Sequence, residues 1–94
     1  MTDPKETPGS SAGKKGTIDF ENVDFYLDLY AHIKYYRQKA GMRQEDLAAK
    51  AGISRPYLSS LESSTKVRGL NMETFYNICR ALEMPPSKFF EPLP

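Results

Sequence analysis

At 94 residues the chain has room for one domain, and a single core can hold it without disulfides if most of the chain contributes. A lone cysteine, Cys79, excludes an intrachain disulfide, and with only one histidine the spacings that a structural zinc needs are missing. A net charge of +1 decides nothing about nucleic acid, whereas the lack of any apolar run near the ~18 residues of a membrane span, or of a signal-peptide stretch in the first 20 residues, reads as a soluble, cytoplasmic protein.

Residues 1 to about 17 are rich in Gly, Pro, Ser, Thr and Lys and offer almost nothing apolar to bury, so ordering them costs entropy without return. The expected organisation is therefore a disordered N-terminal tail, residues 1–20, and one folded domain over 21–94. Lys14 and Lys15 could touch phosphates, but a plain flexible leader explains them as well. From Phe25 to Ala40 the positions Leu29, Ile33 and Tyr36, with Tyr26 and Tyr30 beside them, recur at helical spacing until Gly41 stops the pattern. A second, short helix runs from Gln44 to Lys50, burying Leu47, Ala48 and Ala51, and Gly52 follows as a C-terminal stop able to take a left-handed conformation.

Ser54 can cap the next helix through its hydroxyl, Pro56 is tolerated in a first turn, and Leu58 and Leu61 supply its buried side as far as Ser63. After a polar, basic stretch broken at Gly69, Asn71 caps a fourth helix with the stripe Met72, Phe75, Ile78 and Leu82. Cys79 adjoins that stripe as a buried, unreactive thiol. Pro85 and Pro86 end this helix and start a short turn whose Phe89 and Phe90 close the bottom of the core. No strand pattern and no internal repeat occurs, so the fold class is all-α, a compact bundle of four to five helices.

The charge is unevenly placed. Lys34, Arg37, Lys39, Arg43, Lys50, Arg55, Lys66 and Arg68 stand against Glu45, Asp46 and Glu62, a net +5 in the middle of the chain. Taken alone, that bias fits an ordinary solvated surface as well as a polyanion-binding one. The informative segment is Gln44 to Leu61, QEDLAAKAGISRPYLSSL, in which two short helices meet at a tight turn around Gly52. Ala48 must be small where the second of them crosses, and Leu47, Ile53, Leu58 and Leu61 bury one side of both, leaving the opposite face of the second helix free.

This run, extended to RQEDLAAKAGISRPYLSSLES and followed by TFYNICRALEM and SKFF, resembles the Cro-type, lambda-repressor-like helix-turn-helix (XRE) family of DNA-binding transcription regulators. The resemblance covers roughly Ile33 to Phe90. It implies a sequence-specific regulator, a repressor by expectation, that reads double-stranded DNA in the major groove with the helix 54–63 and binds as a homodimer across two half-sites. By the same resemblance Arg55, Pro56, Ser59 and Ser60 lie where base-reading side chains lie, Tyr57 flanks them, and Gln44 holds a phosphate. Arg55 is the leading candidate, because a guanidinium can make two hydrogen bonds to guanine O6 and N7.

The resemblance further implies that Arg37 and Glu62 meet as an ion pair. Three departures stand beside it. Arg43 replaces the usual Ser or Thr cap of the second helix and is taken as a phosphate contact; Ser64 replaces a frequent glycine; and the following loop is about two residues longer, with Lys66 and Arg68 expected near phosphates.

An enzyme is not expected, because one His, one Cys and no paired acids at a working spacing leave little to catalyse with. His32 reads as a surface or rim residue rather than a ligand. Tyr26, Tyr30, Tyr35 and Tyr36 could stack on single strands, but at helical spacing they more readily cover the core or a dimer contact. No cofactor, metal, membrane or small-molecule partner is expected. The competing reading is a protein-interaction module, or an antitoxin-like protein, with the free helix facing a protein partner.

Overall fold

The computed structural model describes residues 20–63 and 69–94. The expected tail falls outside the described residues except for its last position, Phe20, which opens a 3-10 turn, Phe20–Asn22. Lys66 and Arg68, expected near phosphates, lie outside as well, with Ser64 and the loop expected to be about two residues longer than the family's. The described residues form four helices and no strand: α1 Val23–Lys39, α2 Gln44–Ala51, α3 Arg55–Glu62 and α4 Met72–Leu82, closed by a 3-10 turn, Pro86–Phe90.

The helix ends follow from local chemistry. α1 stops where Gly41 takes a left-handed φ of 74°, which lets the Gly41 amide donate to the Gln38 carbonyl and the Met42 amide to that of Arg37. α2 ends in the same way at Gly52, φ 72°, with the Ile53 amide returning to the Ala48 carbonyl at 3.0 Å. A Cβ at Gly52 would meet no atom within 4 Å, so the glycine answers to the backbone conformation, not to lack of space. The hydroxyl of Ser54 accepts from the Tyr57 amide (3.1 Å), and Asn71 Oδ1 accepts from the Thr74 amide (2.7 Å), as the capping residues predict. α4 closes without a glycine: Glu83 itself adopts φ 56°.

The core gathers Leu29, Tyr30 and Ile33 of α1, Leu47, Ala48 and Ala51 of α2, Leu58 and Leu61 of α3, Phe75, Ile78, Cys79 and Leu82 of α4, and Phe89. α2 packs against both α3 and α4, while α1 lies across α3, α4 and the closing turn. Ile53 of the α2–α3 turn and Leu70 before α4 pack against this core from its rim.

Three expectations need correction. Met72 was placed in the buried stripe but is 75 % exposed: the first turn of α4 projects past the core, the stripe starts at Phe75, and Leu70 takes the rim position instead. Phe90 was paired with Phe89 at the bottom of the core, yet Phe89 is fully buried and Phe90 is 55 % exposed. At three residues per turn, neighbouring side chains of a 3-10 turn diverge by a third of a circle, so only one of the pair can face inward. His32 was expected at the surface and is completely buried. Its Nδ1 meets the Asp28 carbonyl oxygen at 2.7 Å and its Nε2 the Glu91 carbonyl oxygen, so the segment after the closing turn folds back over α1 and covers the ring.

Candidate nucleic-acid interface

α3 owes its orientation to an asymmetry between its two sides. Leu58 and Leu61 are fully buried, whereas Ser54, Arg55 and Pro56 are exposed and Ser59 is half-buried. With α2 crossing behind it, the helix is held with its N-terminal, Arg55-bearing end outward. A helix so presented has the diameter to enter a major groove.

The predicted residues fall into two groups. Arg55, Pro56 and Ser59 share the outer edge of α3. Tyr57 is half-buried with its ring against the core, and its hydroxyl donates to the Gly69 carbonyl at 3.5 Å. The Ser60 hydroxyl donates to the Tyr57 carbonyl at 2.8 Å, which commits its proton to the helix and leaves oxygen lone pairs for any base contact.

Behind this edge lies the Arg37–Glu62 pair. Nε of Arg37 donates to Glu62 Oε2 (2.8 Å) and Nη2 to Oε1 (2.9 Å), a two-pronged contact between the end of α1 and the end of α3. The third nitrogen, Nη1, donates to the Met42 carbonyl at 2.7 Å, and Gln44 Nε2 donates to Glu62 Oε1 at 3.1 Å. Arg37 is 8 % exposed and Glu62 7 %, so one buried network locks α1, the α1–α2 turn, α2 and α3 together. Gln44 is thus half-buried, with one amide hydrogen held by Glu62 and the other available to a phosphate.

The start of α2 carries the exposed charges. Arg43 offers no acceptor as a cap, as its residue type predicts; instead the Asp46 carboxylate reaches back to accept from the Arg43 amide (3.0 Å) and from its Nε (3.2 Å). These bonds hold the Asp46 carboxyl below the ordinary aspartate range and raise the Arg43 guanidinium further above its own, the side-chain hydrogen bond being the main cause for each. Glu45, which sequence reasoning did not single out, lies 3.6 Å from Arg43 Nη1 and 4.0 Å from Arg55 Nε. An acid three residues after Arg43 was a visible capping signal for Asp46; nothing in the sequence placed Glu45 beside Arg55.

Among the described residues no helix is long and apolar enough to cross a membrane, and no group of three or more His, Cys, Asp or Glu is placed to hold a metal ion. A helix-turn-helix family model matches residues 33–89, more than half of the chain. A search of the curated proteins finds no match. Solved structures do resemble it. The wild-type restriction-modification controller protein C.Esp1396I is 36% identical, with 70% of this chain and 84% of that one covered at a TM-score of 0.62. The controller protein C.AhdI from Aeromonas hydrophila is 21% identical over 71% of this chain and 98% of its own, TM-score 0.65, which speaks to the fold alone. The clp gene regulator ClgR from C. glutamicum is 26% identical over 69% and 82%, TM-score 0.62. By its family match, its four-helix fold and these likenesses, the chain belongs to the Cro-type, lambda-repressor-like helix-turn-helix family of DNA-binding transcription regulators.

Proposed function

We propose that the protein is a sequence-specific regulator that inserts α3 into the major groove of double-stranded DNA and acts as a repressor by occupying its site. The observation that carries this reading is the outward N-terminal end of α3, where Arg55 and Pro56 are exposed while Leu58 and Leu61 of the same helix are buried. Arg55 reads a guanine, and Pro56 and Ser59 contact neighbouring base edges, with Tyr57 and Ser60 at the margin. Gln44 and Arg43 at the start of α2, with Lys66 and Arg68 from outside the described residues, hold phosphates and fix the register without reading sequence. The similarity to the restriction-modification controller protein C.Esp1396I and to the clp gene regulator ClgR agrees with a regulatory role.

One short helix covers only a few base pairs, so the protein binds as a homodimer with half-sites roughly 34–36 Å apart. The dimer contact is the aromatic face made by the start of α1, α4 and the closing turn. Phe25 and Phe90 stack there with ring centroids 6.1 Å apart, and Met72, Tyr76, Phe25 and Phe90 are each more than half exposed. The folded unit is taken as residues 21–94.

The test is selection of binding sites from a pool of randomised duplexes, with light scattering of the resulting complex. An enriched inverted repeat bound by two chains supports the reading. No enriched motif, or a strict one-to-one complex, refutes specificity or the dimer respectively, and a reporter whose transcription rises on binding refutes repression.

A further inference from the structure

The face that α3 turns away from the core is not centred on Arg55. Helical side chains fan out by about 100° per residue, so Pro56 points roughly 170° from the mean direction of the buried Leu58 and Leu61, and Arg55 stands to one side of it. Ser59 and Ser60 flank Pro56 at about 60° and about 40°; both are half-buried, whereas Pro56 is exposed. A helix that enters a groove along this direction carries a pyrrolidine ring deepest, not a hydrogen-bond donor.

The surroundings of the ring are short of free polar groups. Pro56 has neither an amide hydrogen nor a polar side-chain atom, and in the first turn of a helix it leaves no backbone bond unmade. The Ser60 hydroxyl gives its proton to the Tyr57 carbonyl at 2.8 Å, and Ser54 Oγ is taken by the Tyr57 amide at 3.1 Å. A purine edge, or the amino group of a cytosine, set against this ring would lose water without gaining a partner. The apolar group that a base presents in the major groove is the pyrimidine C5-methyl.

We propose that Pro56 is a specificity-determining residue that reads a pyrimidine C5-methyl, that of thymine or of 5-methylcytosine, close to the guanine taken by Arg55. The proposal rests on the reading of α3 as the recognition helix. Arg55 then supplies directional hydrogen bonds from the side of the helix, and Pro56 an apolar contact at its centre. Covering one methyl group against the ring changes affinity by about two- to fivefold.

The test uses the intact protein and the duplex enriched by selection, with affinity read by fluorescence anisotropy at two salt concentrations. In one half-site each thymine is replaced in turn by deoxyuridine, which removes only the methyl, and each cytosine by 5-methylcytosine, which adds only a methyl. One position is expected to respond by about two- to fivefold, and by the same factor at both salt concentrations because no charge is involved. A loss with deoxyuridine there assigns the contact to thymine, and a gain with 5-methylcytosine to the methylated base. Pro56→Ser, a change at an exposed first-turn position, loses this response, while Arg55→Ala keeps it and loses the guanine preference. If no methyl substitution alters the parent's affinity, or if Pro56→Ser retains the full response, the proposal is overturned while the recognition helix stands. If the parent enriches no duplex, the recognition reading falls and the proposal with it.

Discussion

Removing one member of the Arg37–Glu62 pair should cost far more than removing both. In Glu62→Leu the Arg37 guanidinium, nine-tenths buried, keeps only the Met42 carbonyl as partner, and the Gln44 amide loses its acceptor. An uncompensated buried charge of this kind costs about 3–5 kcal/mol. For a domain of this size that lowers the melting temperature by on the order of 15–30 °C. Arg37→Met strands the Glu62 carboxylate, and the same magnitude applies. The double variant has no charge left to strand. It still orphans the Met42 carbonyl and the Gln44 amide, so it stays below the parent by about 1–2 kcal/mol. Urea denaturation of the four proteins, with unfolding followed by circular dichroism, gives the cycle directly. Costs that simply add, leaving the double variant near the sum of the singles, would refute the account of the pair as a mutually dependent network that orients helices without adding much net stability.

Other consequences concern stability and pH. Burial, reinforced by the neighbouring Tyr57 and Tyr26, pushes the Tyr30 hydroxyl up to about 12 from 10.0, and burial pushes the Cys79 thiol up to about 11 from 9.0. Both folded values are raised, so the stabilisation they carry is complete below pH 9.0 and is lost as pH rises through about 11 and about 12. Urea midpoints measured against pH should decline over that range, and Cys79→Ala should flatten its first part. The Tyr30 hydroxyl is buried with no hydrogen-bond partner among the described residues, so Tyr30→Phe should raise stability at pH 7 by about 1 kcal/mol; a loss of that size would show that the hydroxyl has a partner. Asp46 behaves oppositely. Its lowered carboxyl helps above the ordinary aspartate value of 3.8 and ceases to help as pH falls through the folded one, so Asp46→Asn should blunt the acid limb of the same curve. Glu83 holds φ 56° to let its own amide reach the Arg80 carbonyl and that of Met84 reach the Cys79 carbonyl, so Glu83→Gly should stabilise by up to ~1 kcal/mol while Glu83→Val destabilises.

The parts of this fold that could be read in the sequence are those decided within a few residues. Ser54, Asn71 and Gly52 act on amides and carbonyls three to five positions away, so residue type and spacing suffice to predict them. Periodicity gave the phase of each buried stripe but not its starting point, which depends on where a neighbouring helix ends; hence Met72. His32 escaped because one of its two partners is the backbone carbonyl of Glu91, 59 residues on, and a carbonyl leaves no mark in sequence. The meeting of Arg37 and Glu62, 25 residues apart, was legible through family resemblance and not through spacing. At the candidate interface, Arg55 and Pro56 were singled out through the family resemblance, and both are exposed on α3. The withdrawal of Tyr57 towards the core and of the Ser60 proton to a helix carbonyl was not legible, since both depend on rotamers set by packing.

The central claim is that α3 meets DNA. Its most direct test is to map amide chemical shifts of the isotopically labelled protein on titration with a selected duplex. The account predicts that the largest changes cluster at Gln44, Arg55, Tyr57, Ser59 and Ser60, with the aromatic face around Phe25, Tyr76 and Phe90 affected only as dimers form. Changes confined to that aromatic face, with α3 unmoved, would contradict it and make α3 a scaffold for a protein contact instead.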